Sequence, residues 1–346
     1  MPAAGLDVSD QSVKFSVLER TRHGLGLTHY GEKSIPLGTI DSGVIKDPDT
    51  LVTILKTLAT EFNLRYIVAS LPEEESYIVR LKLPPMKIDQ IRESLELQLE
   101  EHVPIPPTEA VFDYEVSGAL NRPDKGLDVG VSVLPAKTVE AYSEIFQAAG
   151  MLPLAFEIEA QAIARAVVPE GDERVSLIVD FGKTRTSFFI ASGWTVLFTA
   201  TAQNIGGEDI TRSIQKHLKL DYASAEKLKI EQGLLVSKKN QEVFSSIVPL
   251  VSVLRDEIKK QYEYWEAHQQ EVGEVDQAIS RIILCGGQST LPGLVDYLSG
   301  SVGAPVELGN PWTNVLSFDE KIPDLNLNQA LRYTTALGLA LRRFKD

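Results

Sequence analysis

A single cysteine, Cys285, stands in 346 residues, so no intramolecular disulfide can form. That fits a reducing compartment. No apolar run approaches the ~20 residues that a spanning helix needs. The N-terminus leads straight into a strand pattern, without the basic region and apolar core of a signal peptide. Positive charge is scarce: 34 Lys and Arg face 48 Asp and Glu, a net charge of −14. That balance argues against nucleic acid, whose phosphates need clustered cations. The five histidines, at positions 23, 29, 102, 217 and 268, show no zinc spacing. A Gly-x-Ser-x-Gly elbow and a Gly-x-x-x-x-Gly-Lys-Ser/Thr loop are both missing. What is present is 43% hydrophobic residues at a mean hydropathy near zero, the composition of a globular chain long enough for two or more domains.

One phrase occurs twice. Gly5-Leu6-Asp7-Val8-Ser9-Asp10-Gln11-Ser12-Val13-Lys14-Phe15 returns half a chain later as Ile178-Val179-Asp180-Phe181-Gly182-Lys183-Thr184-Arg185-Thr186-Ser187-Phe188. With Asp7 set on Asp180, Val13 falls on Thr186 and Phe15 on Phe188. Each copy reads as a strand ending in Asp, a short polar turn and a strand with alternating apolar residues. Two such halves predict a pseudo-symmetric, two-lobed protein whose Asp residues and turns face each other across a cleft. Paired carboxylates beside turns with free backbone N–H groups can hold a hydrated metal and a polyphosphate. Two ordinary hairpins with Asp at a turn account for the repeat equally well.

Three further features share this order. Ser280 to Leu284 is a buried-type strand, followed by Cys285-Gly286-Gly287-Gln288-Ser289 and a helix start. Such glycines admit close approach of a ligand, and a helix N-terminus favours negative charge. Asn204-Ile205-Gly206-Gly207-Glu208-Asp209 is another glycine pair opening a helix. Glu226 and Lys229 lie three apart on one predicted helix face, the spacing of a surface ion pair.

In this order and spacing the chain resembles the actin-like ATPase superfamily. Asp7 to Lys14 looks like the first phosphate loop and Asp180 to Thr186 like the second. Glu157 to Ala162 and Ala336 to Ala340 look like the two connecting helices, and Cys285 to Ser289 like the adenosine motif. Within the superfamily the chain is most similar to the PilM family of type IV pilus assembly proteins, relatives of the cell-division protein FtsA. Leu83-Pro84-Pro85-Met86, a charged helix to His102, Val103-Pro104-Ile105-Pro106 and Phe112-Asp113-Tyr114-Glu115 carry that narrowing. The resemblance implies an α/β, actin-like (ribonuclease H-like) fold with a pseudo-twofold repeat and an inserted α/β subdomain. It implies ATP and Mg²⁺ as ligands. Asp7 and Asp180 would hold the metal, mainly through waters. Ser9, Ser12, Lys14, Gly182, Lys183, Thr184, Thr186, Gly206, Gly207, Glu226, Lys229, Gly286, Gly287 and Ser289 would surround the nucleotide. Glu159 stands where related ATPases place the carboxylate that orients the attacking water, and Gln161 is the alternate. One departure matters. The family's first loop has Gly and then Ser or Thr where this chain has Ser9 and Asp10. Asp10 either turns outward, helps hold the metal, or weakens nucleotide binding.

The expected first lobe spans residues 1–172, interrupted by the inserted subdomain at about 81–151. The second lobe spans 173–330, with a smaller subdomain at about 215–275. Residues 331–346 form a helix returning to the first lobe. Its terminal Arg342, Arg343 and Lys345 would also suit a membrane-surface anchor, but the small residues around Gly338 favour close packing. A stripe of Leu250, Leu254, Ile258, Tyr262 and Trp265 marks one face of a long helix and reads as core.

The resemblance also implies a partner. PilM proteins bind the cytoplasmic N-terminal tail of the inner-membrane protein PilN, in contact with other pilus inner-membrane and motor components. Such binding would hold a cytoplasmic protein at the inner membrane without an anchor of its own. A groove between insert and first lobe is the expected tail site. Two other functions share the superfold: a filament or divisome protein like FtsA or MreB, and a small-molecule kinase. The kinase needs an acceptor pocket with a general-base Asp, for which the sequence holds no signal. Any ATPase activity is expected to be weak.

Overall fold

The computed structural model describes residues 2–22, 24–117, 126–203, 205–238, 240–268, 278–316, 322–323 and 325–345. The last residues expected of the smaller subdomain, 269–275, fall outside them.

The chain opens with an antiparallel meander, β1 (Ala4–Ser9), β2 (Ser12–Thr21) and β3 (Gly24–Ser34). A small ribbon of β4 (Ile40–Asp41) and β5 (Val44–Ile45) precedes α1 (Pro48–Phe62). Asp47 caps α1 by accepting from the Thr50 N–H, and Pro48 occupies its first turn, where no N–H is needed. β6 (Tyr66–Leu71) then pairs parallel to β1. The second half repeats the plan. β11 (Val175–Phe181), β12 (Arg185–Ser192) and β13 (Thr195–Gln203) form a meander, and β14 (Arg281–Cys285) pairs parallel to β11. β10 (Leu152–Ile158) and β15 (Val306–Leu308) close the two sheets. The strand orders, β10-β6-β1-β2-β3 and β15-β14-β11-β12-β13, correspond one to one. So does the register: Asp7 stands opposite Lys14, and Asp180 opposite Ser187. β1 and β11 are buried along nearly their whole length, as central strands covered on both faces are.

Between β6 and β10 lie β7 (Tyr77–Leu83), α2 (Ile88–His102), β8 (Ala110–Ser117), β9 (Leu127–Pro135) and α3 (Ala136–Ala148). β7, β9 and β8 make a separate three-stranded sheet, with β8 at its edge. Ile91, Leu95 and Leu99, one face of α2, bury against Leu81, Leu83 and Val129 to Val133 in a core of their own. α3 does not belong to that core. Its Tyr142, Ile145 and Phe146 pack with α1 and β6 in the first lobe, so the packing boundary falls near Leu134 rather than at Met151.

α4 (Glu159–Val167) follows β10 directly. Glu157 is therefore a strand residue, not the start of the helix. The second lobe adds α5 (Gly207–Leu218), α6 (Tyr222–Gln232), α7 (Gln241–His268) and α8 (Leu294–Val302). Val251, Leu254, Ile258 and Trp265 of α7 are fully buried against that lobe's sheet, the core role expected of the stripe. The helix expected over residues 331–346 begins instead at Thr334. α9 (Leu327–Ala330), capped by Asn326, passes into a 3-10 turn over Leu331–Tyr333 before α10 (Thr334–Lys345). α10 packs on β1, β2 and α4. A Cβ at Gly338 would lie 1.8 Å from the Ala162 carbonyl oxygen, and one at Gly5 would lie 2.0 Å from that of Ala336. With Ala336, Leu337, Leu339, Ala340 and Leu341 buried, α10 is a packed crossing helix rather than a free surface helix.

Candidate functional site

The two hairpins meet at one cavity of about 520 Å³ between the lobes. Its walls carry Asp7, Ser9, Ser12 and Lys14 from the first loop and Asp180, Gly182, Lys183 and Thr184 from the second. Glu159, Glu226, Lys229, Gly286 and Gly287 complete the set of expected residues lining it.

In the first loop, Ser70 Oγ donates to Asp7 Oδ1 at 3.3 Å, and Lys14 Nζ lies 3.8 Å from Asp7 Oδ2. Lys14 also donates to Ser12 Oγ at 2.8 Å. Ser9 Oγ donates to the Ser12 carbonyl, tightening the turn. Asp10 turns outward: its carboxylate accepts the backbone N–H groups of Ser42 and Gly43 at 3.3 and 3.1 Å. It lines a second cavity behind the loops instead of the cleft.

In the second loop, Asp180 lies below Gly286. Gly286 has φ +84°, and a Cβ there would sit 2.4 Å from Asp180 Oδ1. Only glycine permits that turn and that approach. Desolvation and the charge of Asp7 push the Asp180 carboxyl up to about 6. Burial, opposed by Arg185 but reinforced by Asp7, Glu74 and Asp180, pushes Glu159 up to about 8. Glu73 beside them is buried, with neither carboxylate oxygen hydrogen-bonded, and burial drives its pKa well up. The cleft floor thus holds more negative charge than its cations neutralise.

Four expected residues do not reach the cleft. Thr186 is fully buried and donates Oγ1 to the Ile205 carbonyl at 2.5 Å. Ser289 donates to the Gly286 carbonyl at 2.7 Å and so ties down the turn. Gly206 and Gly207 sit behind the second loop, where a Cβ at Gly206 would lie 2.5 Å from the Lys183 carbonyl oxygen. All four support the loops. Lys229 has a double role: it lines the cleft, yet its amine donates to the Gly207 carbonyl at 3.0 Å and pairs with Glu226 at 2.8 Å. Gln161, the alternate to Glu159, lies in a different cavity and donates to Ser132 Oγ at 3.3 Å.

The structure adds residues that no local pattern marked. Arg185, the first residue of β12, reaches across to the first lobe and donates to Glu159 at 3.1 Å and to Glu74. Gln11 donates to Glu208 at 3.0 Å, a second bond between lobes. Arg332, on the 3-10 turn before α10, donates to Glu32 at 2.6 Å and lies over Gly287. Their partners stand far off in sequence, so spacing gives no signal of them.

The donor set suits a polyphosphate carried with a divalent cation. The Asp180 carboxyl, raised by burial and by the neighbouring Asp7 charge, lacks positive charge, which a cation supplies. Among the described residues no group of three His, Cys, Asp or Glu converges on a metal position. Phosphate oxygens and waters would therefore complete the shell, as Mg²⁺ prefers. Lys14, Lys183 and Arg332 on the same walls can meet phosphate charge, and the volume lies within the usual range of small-molecule sites.

A family model described as type IV pilus assembly protein PilM matches residues 5–344. Among solved structures, the chain is similar to one described as a PilM-PilN type IV pilus biogenesis complex. It is 23% identical, with a TM-score of 0.81, covering 100% of this chain and 99% of that one. MreB5 of Spiroplasma citri bound to ADP is 13% identical, with a TM-score of 0.60 over 100% of this chain and 99% of that one. The ethanolamine utilization protein EutJ from Carboxydothermus hydrogenoformans is 14% identical, with a TM-score of 0.58 over 98% and 89%. At these identities the likeness speaks for a shared actin-like fold.

Proposed function

Since the chain belongs to the PilM family of type IV pilus assembly proteins, we propose that it is an ATP-binding scaffold that holds the cytoplasmic tail of PilN. The observation that carries the nucleotide reading is the meeting of Asp7, Asp180 and Gly286 at one cavity between the lobes. Mg²⁺ would stand between Asp7 and Asp180, largely hydrated, and supply the positive charge that the floor lacks. Backbone N–H groups of both loops, with Lys14 and Lys183, would meet the phosphates. Gly286 and Gly287 would face the base, with Glu226 beside the ribose.

A groove of about 170 Å³ between insert and first lobe, bordered also by Thr195 and Val196 of β13, supports the tail reading. Ile78, Phe112, Val139 and Phe156 give it apolar walls, and Glu157 and Arg342 polar ones. All five residues from Val111 to Glu115 line it. Side chains alternate between the faces of a strand, so a consecutive run marks the strand's edge. β8 is that edge. An extended peptide can add there as a further strand, using backbone hydrogen bonds for affinity and apolar pockets for choice. The tail would also bring the chain to the inner membrane: among the described residues no helix is long and apolar enough to cross one.

Calorimetry with a synthetic PilN tail peptide tests this site. Val111, exposed on β8, tolerates Arg without loss of core packing. The expected result for Val111→Arg is a loss of about tenfold or more in affinity, 1.4 kcal/mol, at unchanged thermal stability. Equal affinity in the two proteins would place the tail elsewhere.

A further inference from the structure

The inter-lobe cleft and the groove share no lining residue. One guanidinium nevertheless connects with both. Arg185 belongs to β12 of the second lobe, and both of its carboxylate partners belong to the first lobe. Each partner leads along the chain directly into the groove. Glu159 lines the cleft and is the first residue of α4, while Ile158 before it and Gln161 two residues later line the groove. Gln161 there donates to Ser132 of β9. Glu74 lies in the turn that opens into β7, where Ile78 lines the groove. The Arg185 side chain is 14% exposed, and those of Glu74 and Glu159 are 11% and 7% exposed, so solvent screens these pairs weakly.

We propose that Arg185 is the positioning residue that couples the cleft to the groove: it fixes the second lobe to Glu74 and Glu159, so that lobe closure on nucleotide moves β7 and α4 and alters the tail site. The proposal rests on the reading of the two sites given above. Lobe closure is the two-state element, and both ligands bias it. Lysine cannot replace the fork, because a single ammonium does not reproduce the planar donors that serve two carboxylates at once.

The test is a thermodynamic cycle with the full chain. Tail-peptide affinity is measured with and without saturating ATP and Mg²⁺, for the wild type, Arg185→Met and Arg185→Lys. Couplings between sites typically run from about 5- to 150-fold, so the wild type is expected to show a factor of about five or more and Arg185→Met less than about two. Arg185→Lys keeps the charge and serves if the Met variant does not fold; its factor is expected to lie between the others. A merely structural role for Arg185 would shift both affinities and leave their ratio. A wild-type factor near one overturns the proposal, as does an undiminished factor in Arg185→Lys or Arg185→Met. If the wild type binds neither ligand, the functional reading fails first, and amide exchange of the ligand-free protein judges Arg185 alone. Exchange about tenfold faster over Tyr77–Leu83 and Glu159–Val167 in Arg185→Lys is then expected. Equal exchange overturns the coupling.

Discussion

Asp10 shows how a carboxylate in the first loop can be kept out of the cleft. Ser42 and Gly43 hold it outward by two backbone N–H groups, away from the cleft. Asp10→Ser is therefore expected to leave ATP affinity within about twofold, and to cost about 1–2 kcal/mol of stability through the lost hydrogen bonds. Calorimetry and a denaturant titration measure the two effects. Asp180 is the opposite case. It faces the cleft beneath Gly286, and Asp180→Ala is expected to abolish Mg²⁺-dependent ATP binding; unchanged affinity would remove its metal role. Glu159 is engaged by Arg185. Steady-state hydrolysis is accordingly expected to be slow or absent, and robust turnover lost in Glu159→Ala would contradict that reading.

Among the elements, the crossing of α10 over α4 and β1 is the tightest joint. Gly338 admits the Ala162 carbonyl at a distance that no side chain allows. Gly338→Ala must push two buried helices apart. Overpacking of this kind typically costs about 1–3 kcal/mol and here is expected at or above the upper end, because the clash is with backbone that cannot rotate away. The denaturation midpoint should fall accordingly, while Gly300→Ala, with open space around it, serves as the control. The insert behaves differently. Its own core is small, and its edge strand β8 pairs with β9 on one side and borders the groove on the other.

For the whole molecule, the burial of carboxyls at the cleft, reinforced by their mutual repulsion, sets a pH dependence. Carboxyls raised in the folded state bind protons more tightly there than in the unfolded chain. Stability from these groups falls as pH rises from the ordinary carboxylate range through about 6 for Asp180 and about 8 for Glu159, then levels off. The melting temperature of the ligand-free protein should decline over that window. Glu159→Gln should flatten the part of the decline between pH 6 and 8, and Mg²⁺-ATP should flatten all of it, because the cation replaces the protons. A scan of melting temperature against pH that shows no difference between wild type and Glu159→Gln would refute the assignment.

Much of this was legible locally. The Asp7 and Asp180 hairpins and the charged helix ending at His102, α2, follow from apolar periodicity and from turn residues close by in sequence. Those signals act over a few residues, so the chain alone determines them. The destinations of side chains were decided elsewhere. Thr186 and Ser289 belong to conspicuous motifs, yet their hydroxyls serve the Ile205 and Gly286 carbonyls inside the loops. Asp10 depends on Ser42 and Gly43, Arg185 on Glu74 and Glu159, and the packing of α3 on α1. Each of these outcomes rests on a partner brought near by the folding of distant segments. Periodicity tells which face of an element is apolar. It does not tell what stands opposite, and a buried charge or hydroxyl is settled only by that neighbour.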